Sequence, residues 1–96
     1  MKDKLLVLVE AQSIWSYNIL LRLLMYFVNS LLGLIKAHED WDVHSTARIP
    51  LPIPEFYVIY TEDKKNVPPL ISIRKDFFKD ETIAIDLEAR VISLSV

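Results

Sequence analysis

No cysteine occurs in the 96-residue chain. Disulfides and thiolate metal sites are therefore excluded, and a reducing, cytoplasmic setting is expected. Glycine is nearly as scarce, with Gly33 its only representative. Small α/β domains usually spend more glycine on their turns, because glycine takes left-handed backbone without strain. A positive charge excess is missing too. The formal net charge is -2, so no general basic field draws the chain to nucleic acid, and any such chemistry must rest on local residues. Neither a glycine-rich phosphate loop nor a Ser-His-Asp order is visible. The apolar run behind the charged start "MKDK" holds Glu10 and has no small-residue cleavage site, unlike a secretory signal.

What remains is globular in character. Hydrophobic residues make up 52% and charged residues 25%, which excludes disorder. The length allows one small domain with a modest core. A strand so close to Met1, together with the single glycine, predicts a piece of something longer.

Residues 4 to 12, "KLLVLVEAQ", read as a strand. The apolar run is continuous rather than alternating, which predicts burial on both faces and a central place in a sheet. Ser13 or Ser16 can cap the next element. Residues 17 to 36 read as a long helix with a narrow polar stripe of Asn18, Arg22, Asn29, Gly33 and Lys36. The rest of its surface is apolar, which predicts a mostly buried helix. A membrane span is the competing reading. Residues 19 to 35 are short for one, and Arg22 inside the bilayer would cost roughly 2.5–3.5 kcal/mol. The stripe fits a core helix better.

Further on, residues 37 to 48 form a polar loop. "IPLPIP", 49 to 54, is an extended segment that cannot join a ladder at Pro50, Pro52 or Pro54. "EFYVIYT", 55 to 61, is a strand, "EDKKN" a turn, and residues 70 to 73 a short strand. "RKDFFKDE" reads as an ambiguous helical turn. Residues 82 to 96 alternate as a half-exposed strand. The order β-α-β-(β)-β predicts an α/β (α+β) domain with a small mixed sheet of three to four strands and one long apolar helix.

The chemistry sits at the end of the first strand. Side chains at i and i+2 share a face, so Glu10 and Gln12 point together. Such a pair at the C-terminal end of a buried strand lies where sheets open to ligands. A carboxylate there can hold a divalent metal, and the amide can orient a water or a phosphate. Buried without a role, the pair would cost several kcal/mol unless partnered.

"LVEAQS", then Asn18, Leu21, Arg22 and Tyr26, then "IPLPIPEFYVIYT", together resemble the recombination-promoting nuclease and transposase-related family of the PD-(D/E)XK nuclease superfamily. The similarity covers residues 5 to 61 and continues more loosely through "ETIAIDLEARVISL". It implies one truncated nuclease-like domain over 1 to 96, with a restriction-endonuclease-like core lacking its first elements. It implies a Mg²⁺-dependent DNA endonuclease of recombination or mobile elements. Glu10 would be the metal acid, Gln12 would replace the usual lysine, and the Ala11 carbonyl would be a further metal ligand. Arg22 and Ser13 would contact nucleic acid. The sequence departs from the family at Ala11, where members often carry histidine, and in "IWSY", where a more polar turn is usual.

The superfamily also takes an aspartate from an earlier strand. Asp3 cannot replace it. Seven positions from Glu10, it falls on the opposite face, about 23 Å away along an extended strand. The resemblance therefore implies weak or absent activity for the isolated chain, unless a partner supplies the acid. The alternative is a non-catalytic interaction module, a remnant that self-associates as a homodimer through helix 17 to 36 and an open sheet edge.

Lesser candidates have plainer readings beside them. His38, Glu39, Asp40, Asp42 and His44 share one loop but match no metal spacing, and acidic loops are common. Arg22 could touch a phosphate or pair with Glu10, and its default reading is a structural ion pair or a plain helix-surface arginine. The lysines of "EDKK" belong to a solvated turn, and Trp15 and Trp41 to packing anchors.

Overall fold

The computed structural model describes residues 5–61 and 66–94. The turn expected at 62–65 and the start of the chain, including Asp3, lie outside the described residues. The fold runs β1 (Leu5–Gln12), α1 (Ile19–Ala37), β2 (Ile53–Tyr60), β3 (Leu70–Ser72), a π-helical turn (Arg74–Phe78) and β4 (Glu88–Ser93). The strands form one mixed four-stranded sheet in the order β1-β2-β4-β3. β1 and β4 both run parallel to β2, and β3 runs antiparallel to β4. This is the α+β architecture with one long apolar helix that the sequence predicts.

β1 is not central. It forms one edge of the sheet, and its burial alternates: Leu5, Val7, Val9 and Ala11 are exposed, while Leu6, Leu8, Glu10 and Gln12 turn toward the covered face. A run of apolar residues carries no period, so it cannot distinguish a strand covered on two faces from one covered on a single face. Among the described residues only one face is covered, by α1 together with Ile73, Phe77 and Leu87. The opposite face shows Leu5, Val7, Val9, Ile53, Leu70 and Ile92 to solvent.

α1 also differs from expectation. Only its first turns are buried, at Ile19, Leu20 and Leu23, which pack with Val58, Ile71, Ile73, Leu87 and Ala89 to form the core. Leu21 is exposed on the outward side of the first turn, and beyond Leu24 the helix runs out over little sheet, leaving Met25, Val28 and Leu32 exposed, Met25 at 62%. The radius of gyration, 15.8 Å, exceeds the roughly 12.5 Å of a compact domain this long. The sequence shows that the helix is apolar nearly all round. It does not show that a four-stranded sheet whose far edge is the three-residue β3 is too small to cover it.

Local chemistry explains the remaining elements. Ser16 accepts from the Asn18 backbone N–H at 3.1 Å through Oγ and from the Ile19 N–H at 3.3 Å through its carbonyl, which starts the helix. Pro54 does join β2, opposite Leu6. Its imide nitrogen is directed to the β4 side, and β4 pairs with β2 only from Tyr57 onward, so no ladder bond is lost. The π-helical turn is pinned by two carboxylates: Asp76 accepts from the Ser72 N–H at 2.9 Å, and Asp86 from the Arg74 N–H at 3.0 Å. It ends at Lys79 with φ 55°, a left-handed position filled without glycine. Of the strand expected over 82 to 96, residues 95 and 96 lie outside the described residues, and the rest shortens to Glu88–Ser93. Asp80 and Asp86 instead take up neighbouring backbone N–H groups in a turn-rich approach, as short acidic side chains do.

Candidate functional site

Glu10 and Gln12 lie side by side on the helix-facing side of β1, as the i, i+2 rule requires. Parallel pairing sets Glu10 beside Val58 and Gln12 beside Tyr60, at the C-terminal ends of both strands. The Gln12 carbonyl accepts from the Thr61 backbone N–H at 2.9 Å and from its hydroxyl at 3.1 Å. The Gln12 side chain is only 7% exposed, and its Oε1 is buried without a hydrogen-bond partner. Trp15 closes this end of the sheet, packing edge-on to Tyr60 at 5.6 Å and to Tyr17 at 5.5 Å.

Glu10 is not free. Arg22 Nε lies 3.6 Å from its Oε1, so the first full turn of α1 sets a guanidinium over the carboxylate. Of the two default readings of Arg22, an ion pair or a helix-surface arginine, the structure has the ion pair across the strand and helix. Ser13 is exposed just past the strand. The Ala11 carbonyl follows from the ladder. Successive carbonyls in a strand point to opposite sides. The Gln12 carbonyl points at β2, so that of Ala11 points to the free edge, away from β2.

Does this set fit Mg²⁺? The ion takes six oxygens at about 2.1 Å, usually with one or two carboxylates and substrate phosphates. Here one carboxylate is already engaged by Arg22, the amide oxygen is buried, and the carbonyl faces the other way. Among the described residues no three His, Cys, Asp or Glu side chains gather as a metal site. The donors present do not make a Mg²⁺ site by themselves. The 38–44 loop makes none either. His38 stacks on Trp41 at 3.9 Å and its Nδ1 meets the Leu34 carbonyl at 2.8 Å, so the ring ends the helix instead.

At Glu10 and Gln12 the helix sets Arg22 against the carboxylate, and the glutamine is buried. An open cleft of about 170 Å³ lies elsewhere, between Pro54, Glu55, Tyr57, Leu70, Glu88 and Arg90. Glu55, Tyr57, Leu70 and Arg90 belong to the uncovered sheet face, by register. Tyr57 donates its hydroxyl to Glu55 at 2.7 Å. That hydrogen bond, then burial and the nearby carboxylate charge, push the phenol above its ordinary range, against a small opposing effect of Arg90. The i, i+2 spacing of Glu55 and Tyr57 was the available signal for this pair. Arg90 and Glu88 arrive from a strand over thirty residues away, which no local pattern announces.

No family model, curated protein or solved structure matches this chain.

Proposed function

We propose that this protein is an association module: a small α/β unit that works by covering its open apolar surface with another polypeptide. The observation that carries this reading is the outward face of α1. Leu21, Met25, Val28 and Leu32 repeat at spacings of 4, 3 and 4, the seam spacing of paired helices, and all four are exposed. A polypeptide suits this face better than a bilayer does. α1 is long and apolar enough to span one by length and composition. Its first turns, however, are fixed in the core through Ile19, Leu20 and Leu23. The stretch from Leu24 to Ala37 would reach about 21 Å at 1.5 Å per residue, against a hydrocarbon core of about 30 Å.

The test is sedimentation velocity without detergent, comparing the wild type with a Met25→Glu/Leu32→Glu double variant. A wild-type species heavier than one 11.2 kDa chain, reduced to one chain in the variant, supports the reading. Wild type and variant both sedimenting as single chains contradict it. So does insolubility of the wild type that only lipid vesicles relieve.

A second reading is favoured by the buried, unbonded Oε1 of Gln12 beside Glu10. In that reading the frame is of the nuclease type, acting on DNA in recombination, and a partner brings the acids that Glu10 lacks. Its test is plasmid cleavage with Mg²⁺ present. Activity that disappears in Glu10→Ala supports it, and activity equal in the two chains removes Glu10 from it.

A further inference from the structure

From the free edge of β1 we infer the partner: a second copy of this chain, joined by antiparallel pairing of β1 with β1 across a twofold axis at Leu8, so that two four-stranded sheets become one. This rests on the association reading above and specifies its geometry. Since the Gln12 carbonyl bonds to Thr61, the even residues of β1 aim their backbone groups at β2. The odd residues, Leu5, Val7, Val9 and Ala11, therefore aim theirs at the open edge. Among the described residues no strand or loop bonds to them. Natural edges are guarded by lysine, proline, bulges, inward charges or shortness. β1 runs eight residues with no lysine, no proline and no charge on its exposed face. Its one inward charge, Glu10, already faces its own Arg22.

The edge is complementary to itself in one register. Hydrogen-bonded pairs must join odd residues to odd residues. Pairing Leu5 with the copy's Ala11 and Val7 with its Val9 satisfies all four free N–H and C=O groups on both strands. Every other register leaves some of them beyond the end of the partner strand. In this register the largest exposed side chain meets the smallest, and the two valines meet each other. Glu10 falls opposite Leu6, never opposite its own copy, which a slip of two residues along each strand would bring about. A twofold axis normal to the sheet keeps faces together. Both α1 helices then lie on the same side, and because α1 makes its strand contacts chiefly with β1, they come side by side over the seam. The interface thus adds helix packing to strand pairing, the combination needed to approach the roughly 1,200–2,000 Å² buried by a stable dimer.

Cysteine cross-linking tests the register, and the chain's lack of native cysteine makes it clean. Leu8 would stand opposite its own copy with Cα atoms about 4.5 Å apart, within disulfide reach. Leu6 would lie about 13 Å from its copy, out of reach. Under mild oxidation most of Leu8→Cys is expected to run as a covalent dimer and Leu6→Cys as a single chain. A proline provides the second test. The Val9 N–H faces the open edge, so Val9→Pro leaves the β1–β2 ladder intact while blocking the copy. The dimer dissociation constant should rise at least tenfold, with the circular dichroism spectrum retained. Cross-linking of Leu6→Cys instead of Leu8→Cys overturns the pairing. A dimer unaffected by Val9→Pro but lost in Met25→Glu/Leu32→Glu also overturns it, while leaving the association reading standing.

Discussion

Arg22 Nε stands 3.6 Å from Glu10 Oε1, linking the first turn of the helix to the end of the first strand. The contact is longer than a good hydrogen bond, and the Arg22 side chain is 46% exposed. Water screens such a pair. A double-mutant cycle with Glu10→Ala and Arg22→Ala should return a coupling of at most about 1 kcal/mol, falling as salt is raised. A coupling well above that, unmoved by salt, would mean that the pair is held far more tightly than this geometry allows.

Gln12 carries the opposite kind of burden. A buried polar atom left unbonded costs about 1–3 kcal/mol. Gln12→Met keeps the length of the side chain and removes the orphaned oxygen. The variant should unfold at an equal or higher denaturant concentration than the wild type. Clear destabilisation in urea melts would mean that Oε1 has a partner in solution.

The two faces of α1 should respond very differently to the same truncation. Leu23 is fully buried and Met25 is 62% exposed, two positions apart. Leu23→Ala should cost about 2–5 kcal/mol, much of the stability of a small domain. Met25→Ala should change the unfolding free energy of the single chain by no more than about 0.5 kcal/mol. Chemical denaturation at low protein concentration, where any assembly is dissociated, reads both values.

Tyr57 should show its hydrogen bond to Glu55 in alkali. Folding favours the neutral phenol, so its contribution to stability is complete below the ordinary tyrosine value of 10.0 and is lost as pH rises through the higher folded value. Ultraviolet titration of the wild type should show one tyrosine ionising late. Glu55→Ala should bring that step back toward the ordinary range, and Tyr57→Phe should remove it.

Some of this was readable from the residues, and some was not. The E-x-Q strand and the strand at "EFYVIY" follow from apolar, β-branched and aromatic runs, and the helix from its polar stripe at period 3.6, which is why an α+β domain was predictable. The ion pair of Arg22 with Glu10 was also within reach, since strand, turn and helix are contiguous. Coverage was not. Whether Val7 and Val9 face a second layer or open solvent depends on how many elements stack on each face, and apolar side chains look alike in either case. The same blindness hid the exposure of Met25 and Leu32. The Glu55–Arg90 cleft depends on β4 lying beside β2, a long-range pairing that strand order alone does not specify. Ile83 and Ile85 alternate as a strand would, yet the turns set by Asp80 and Asp86 override the pattern.

Solution mass is the most direct measurement of the central claim. Sedimentation equilibrium of the wild-type chain, in buffer without detergent and over a hundredfold range of concentration, should fit a single-chain to two-chain equilibrium. The upper limit should be twice 11.2 kDa. A mass that stays at one chain across the whole range would contradict the account.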